Sequence, residues 1–110
     1  MGAVHTETSP IARLGHALSD PTRVYILDIL RQGAAYPADM CLELSVSKQS
    51  ISNHLACLRG CGLVTAVPEG RNVRYELASS RIKQVLDELH HTVLHADPSF
   101  CKTINTEECC

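Results

Sequence analysis

Ser47-Lys48-Gln49-Ser50-Ile51-Ser52-Asn53-His54-Leu55-Ala56-Cys57-Leu58-Arg59-Gly60-Cys61-Gly62 reads as one capped helix. Ser47 is a good N-cap, and Gly62 supplies a stop. At 100° per residue from Ile51, Leu55 falls at about 40° and Leu58 at about 340°, so these three form an apolar stripe. Ser52, Gln49, Ala56 and Asn53 fall between about 100° and 200°, a small and polar face. Cys57 and Cys61 fall at about 240° and 280°, with Ser50 and His54 beside them. One helix therefore carries a core face, a polar face and a thiol face.

Upstream, Pro37 opens a short helix, PADMCLELS, and Val46-Ser47 makes a turn into the three-faced helix. Two short helices joined by a tight turn form a helix-turn-helix pattern. Further upstream, Asp20 is an N-cap and Pro21 suits the first helical position. The run from Val24 places Val24, Leu27 and Leu30 at helical spacing, and Gly33 ends it. Ile11, Leu14 and Leu18 suggest one more short helix. Downstream, Leu63–Val67 and Val73–Leu77 read as strands around a turn at Pro68–Asn72. Residues 79–96 return to helix, with an apolar stripe of Ile82, Val85, Leu86, Leu89 and Val93 that Asp97-Pro98 ends. The expected organisation is a flexible start over 1–9, one domain over 10–96, and a flexible tail over 97–110.

Composition bounds the function. The 110 residues fit one domain, and 45% hydrophobic residues are enough for a packed core. The formal charge is -2, which alone does not suggest nucleic acid. The charge is unevenly spread: residues 48–83 hold six basic and two acidic residues, net +4, and the remainder four basic and ten acidic, net −6. A basic head on an acidic body is the electrostatic footprint of a nucleic-acid reader. Six Cys and six His are many for so short a chain. With no secretory signal and no apolar run of membrane length, a cytoplasmic protein with reduced thiols is expected. Those thiols then point to metal or redox chemistry. Paired carboxylates in a pocket, a nucleotide loop and a Ser-His-Asp arrangement cannot be read, so neither an enzyme nor a small organic substrate is expected.

Ala17-Leu18-Ser19-Asp20-Pro21-Thr22-Arg23 with Ile26-Leu27, Ser50-Ile51-Ser52-Asn53-His54-Leu55, Leu58-Arg59, Gly62-Leu63-Val64 and Glu69-Gly70-Arg71-Asn72-Val73-Arg74-Tyr75 resemble the ArsR/SmtB winged helix-turn-helix repressors. The likeness spans about residues 10–95, with several motifs in the right order. It implies a mainly α fold with a β-hairpin wing, in the order α-α-α-α-β-β-α. It also implies a homodimer that binds double-stranded operator DNA and releases it when metal binds. Within that family, Cys57 and Cys61 look most like the CmtR-type cadmium/lead sensors; the Cys-Val-Cys motif of other members is missing, and Cys41 alone lies in that region.

The expected DNA contacts are Lys48, Gln49, Ser50, Ser52, Asn53 and Arg59 on the helix, with Arg71 and Arg74 in the hairpin. Gln and Asn can bond adenine edges bidentately, and the arginines suit phosphates. Cys57 and Cys61, one turn apart, suit one shared metal, but two thiols do not close a site. Cys101 is the expected third ligand; in the CmtR-like sensors the tail cysteine comes from the other protomer. Three thiolates select Cd(II), Pb(II) or As(III). Cys41 is expected in the core. Cys109 and Cys110 either add ligands, trap arsenite or stay idle. Asp87, His91 and His95, at i, i+4 and i+8, form a rival site suited to Zn(II) or Ni(II). The remaining alternatives are an arsenite-responsive repressor of the same fold and a repressor switched by thiol oxidation.

Overall fold

Proline stands at the first turn of three helices, where its missing N–H costs nothing. A computed structural model of the chain describes residues 9–100. It contains α1 (Pro10–Ala17), α2 (Pro21–Arg31), α3 (Pro37–Leu44), α4 (Lys48–Gly60), β1 (Val64–Glu69), β2 (Asn72–Leu77) and α5 (Ser80–His90). Ser9, Asp20, Ser47 and Ser79 cap four helices through side-chain oxygens that accept from backbone N–H groups. Asp20 accepts two, from Thr22 and Arg23. Each such cap contributes about 0.5–2 kcal/mol. Among the described residues no helix is long and apolar enough to cross a membrane.

The core gathers Ala17 of α1, Ile26, Leu27 and Leu30 of α2, Met40 of α3, Ile51, Leu55 and Leu58 of α4, then Leu63, Val64 and Leu86. The hairpin is antiparallel, pairing Val64 with Leu77 through to Glu69 with Asn72. Its turn is Gly70-Arg71, with Gly70 at φ +61°, a conformation that glycine adopts without the usual Cβ penalty. Ala35 adds a one-residue third strand: its N–H donates to the Tyr75 carbonyl (3.0 Å), and its carbonyl accepts from the Tyr75 N–H (2.8 Å).

Two boundaries and two burial assignments differ from the sequence reading. The final helix ends at His90, not at residue 96. The Thr92 hydroxyl donates to the Glu88 carbonyl (2.7 Å), closing the last turn. Val93 and Leu94 lie beyond it, 73% and 85% exposed, so the stripe outruns the core available within one chain. The first strand runs on through Pro68 and Glu69. Pro68 fits because β1 is an edge strand, where a missing donor breaks no ladder. In α2 Ile26 is buried with Leu27 and Leu30, whereas Val24 faces outward with Tyr25. In α1 the buried residue is Ala17, and Ile11 is exposed.

Arg31 ties α5 to α2. Its Nε donates to Asp87 Oδ1 (2.8 Å), and its other arm pairs with Asp28. Lys83 Nζ donates to the second Asp87 oxygen (2.8 Å). The bonds from Lys83 and Arg31 hold the Asp87 carboxyl below its ordinary value. A depressed carboxylate adds stability at neutral pH that is lost as pH falls through its folded-state pKa. Asp87→Asn should therefore lower the melting temperature at pH 7, and the gap to wild type should close in strong acid. A melting series against pH checks this; a gap that does not vary with pH would contradict it.

Candidate nucleic-acid interface and thiol site

Helix α4 has the three faces that its period implies. Ile51 and Leu58 are fully buried and Leu55 nearly so. Gln49, Ser52, Asn53 and Ala56 are exposed, whereas Ser50, His54, Cys57 and Cys61 are half-buried. On the polar face, Gln49 Nε2 donates to Asn53 Oδ1 (3.0 Å), so the two amides are already aligned one turn apart. Lys48 and Arg59 are exposed at opposite ends of the helix, and Arg71 is exposed at the hairpin tip. Arg74 is different: its guanidinium pairs with Glu69 and lies 3.9 Å from Glu76.

On the thiol face, Cys61 is the C-cap residue, and its N–H donates to the Cys57 carbonyl (3.0 Å). Burial pushes the Cys61 thiol up, and the neighbouring Cys57 thiol pushes it further. The Arg13 and Arg23 guanidiniums oppose that shift. Arg13 reaches from α1 to the Gly60 carbonyl at the end of α4 (3.4 Å). Arg23 donates to the last carbonyls of α1, at Ala17 (3.0 Å) and His16 (2.9 Å). The sequence reading did not find these two cations; no local pattern marks a contact 47 residues apart. His54 borders the thiols, with Nε2 3.9 Å from the Asp20 carboxylate. Cys41 packs, half-buried, against the core.

Cys57, Cys61 and Cys41 are free thiols. Among the described residues no group of three or more His, Cys, Asp and Glu is arranged so that it could hold a metal ion. The rival Asp87, His91 and His95 set is not assembled here. Asp87 is engaged by Arg31 and Lys83, His91 bonds the Asp87 carbonyl through Nδ1 (2.8 Å), and His95 lies past the end of α5. Cys101, Cys109 and Cys110 fall outside the described residues. An open groove of about 410 Å3 separates α2 from α5, lined chiefly by Leu18, Val24, Tyr25, Leu86 and Leu89.

Residues 20–66 match the family model for bacterial regulatory proteins of the arsR family. The HTH-type transcriptional regulator CmtR of Mycobacterium tuberculosis is 52% identical over 89 residues, covering 81% of this chain and 75% of the relative. The NMR structure of the cadmium metal-sensor CMTR from that organism superimposes with a TM-score of 0.64, covering 79% of this chain and 90% of the sensor. The homodimeric winged helix-turn-helix DNA-binding domain of Mb0332 from Mycobacterium bovis, 27% identical, superimposes at 0.69 over 78% of this chain and 88% of that one.

Proposed function

The chain belongs to the arsR family of bacterial regulatory proteins, and from that premise we propose that it is a homodimeric repressor that releases operator DNA on binding a thiophilic ion. It is a transcriptional regulator and not an enzyme. The observation that carries the metal reading is on α4: two half-buried thiols share one side of a helix whose other side is exposed, polar and preceded by a helix-turn-helix turn. Any ion that pulls on Cys57 and Cys61 pulls on the DNA-reading element itself.

Cys57 and Cys61 supply two soft ligands, and Cys101 supplies the third from the tail of the partner protomer. That donor set favours Cd(II), in keeping with the cadmium sensor that this chain resembles; Pb(II) and As(III) are also thiophilic. Lys48, Gln49, Ser50, Ser52, Asn53 and Arg59 read or anchor DNA in the major groove, and Arg71 reaches phosphate from the wing. The apolar groove between α2 and α5 is the face for the second copy.

The test is operator binding followed by fluorescence anisotropy, adding Cd(II), Pb(II), As(III), Zn(II) and peroxide in turn. Release by Cd(II) at stoichiometric metal supports the proposal. Release by peroxide alone supports the redox reading, and metal binding without any change in DNA affinity marks a metal buffer. The same titration carries a pH signature. A raised thiol pKa means that protons compete harder for the ligand sulfur. Cadmium affinity should fall as pH is lowered, by up to about tenfold per pH unit for each proton displaced. Equal affinities at acidic and alkaline pH would argue against thiolate ligation.

A further inference from the structure

The register of the hairpin puts Thr65, Val67, Glu69, Asn72, Arg74 and Glu76 on one side, because directly paired residues share a face and alternate residues repeat it. The opposite side carries Val64, Tyr75 and Leu77 toward the core. On the polar side, the sequence leads us to expect Arg74 as a phosphate contact, yet it pairs with Glu69 and lies close to Glu76. The second Glu69 oxygen is also taken: the Tyr36 hydroxyl donates to Oε1 (2.6 Å). The backbone of Tyr36 is held in place, as the N-cap residue of α3 and the neighbour of the Ala35–Tyr75 bridge. Arg71, at the tip, is exposed and forms no ion pair among the described residues, so the two wing arginines are not equivalent.

We propose that Glu69, anchored by Tyr36, is a positioning residue that holds Arg74 in place of a DNA phosphate and so restrains DNA affinity. Carboxylate and phosphate present similar oxygen pairs to a guanidinium and compete for it. The Tyr36 bond opposes a swing of the carboxylate as DNA approaches, which keeps its charge opposite the phosphates. The restraint acts on any duplex, since phosphate contacts carry no sequence information. It lowers non-specific holding and leaves base contacts from α4 to discriminate.

The inference rests on the DNA-binding reading, and its test separates the two. Anisotropy with a labelled mixed-sequence duplex, over a range of salt, compares wild type, Glu69→Gln, Arg74→Ala, the double variant, and Glu88→Gln as a charge-matched control on α5. Glu69→Gln keeps an acceptor for Tyr36 and should bind about 5–20-fold tighter at low salt, with a salt slope steeper by about one. Arg74→Ala should flatten the slope by about one in the Glu69→Gln protein and by clearly less in wild type, where Glu69 already occupies the guanidinium. A Glu69→Gln protein that binds no tighter than Glu88→Gln overturns the proposal, as does an equal effect of Arg74→Ala in both backgrounds. A wild type with no salt-dependent duplex binding overturns the DNA reading, and this inference with it.

Discussion

Serine at positions 57 and 61 is expected to give a protein that binds operator as wild type does but no longer releases it when Cd(II) is added. The two thiols lie on a different face of α4 from Gln49, Ser52 and Asn53, so the DNA surface keeps its side chains. Both cysteines are half-buried rather than core residues, and serine is nearly isosteric, so the fold should bear the change. What goes is the pair of soft ligands, and a hydroxyl does not replace a thiolate for a thiophilic ion. Metal-linked couplings are typically about 1–3 kcal/mol, a factor of about 5–150 in DNA affinity. That factor should fall to about one in the variant. Linkage adds an independent check, because operator DNA must weaken metal binding to wild type by the same factor. Persistent cadmium-driven release from the doubly substituted protein would remove Cys57 and Cys61 from the site.

The faces of α4 were legible because a 3.6-residue period sorts side chains without knowledge of the rest of the fold. The caps at Asp20 and Ser47 and the stop at Gly62, with φ +83°, were legible for a similar reason: each rests on local backbone chemistry. Other features depend on what lies across the chain. Val93 continues the stripe of α5, but a stripe becomes helix only where something covers it. Pro68 looks like a turn residue until β1 is known to be an edge. The thiol pair could be read as i and i+4, whereas the nearby Arg13 comes from another helix. Arg74 was legible as a basic residue but not as a paired one, since Glu69 meets it only through the hairpin register and Tyr36 only through the bridge at Ala35.

Leu58→Ala should destabilise the protein by about 2–5 kcal/mol, the range for truncating a buried leucine in a packed core. Leu58 is fully buried in the core cluster that also holds Ile51, Leu55, Leu27 and Leu30, where packed neighbours resist closing a cavity. Against a total stability of about 5–15 kcal/mol this is a large fraction, and a fall in melting temperature of about 10 °C or more is expected at fixed protein concentration. Cys57→Ala, one residue away, should cost far less because its side chain is only half-buried. Thermal melts of the two variants compare neighbouring side chains on different faces of one helix; a Leu58→Ala loss below about 1 kcal/mol would mean that the stripe does not seat the helix. The comparison also bears on the switch. A close-packed core does not deform continuously, so α4 held by Ile51, Leu55 and Leu58 tends to move as a unit when its thiol face is pulled. Under the proposed function, Leu58 would then belong to the path by which a metal at Cys57 and Cys61 reaches the amides of Gln49 and Asn53.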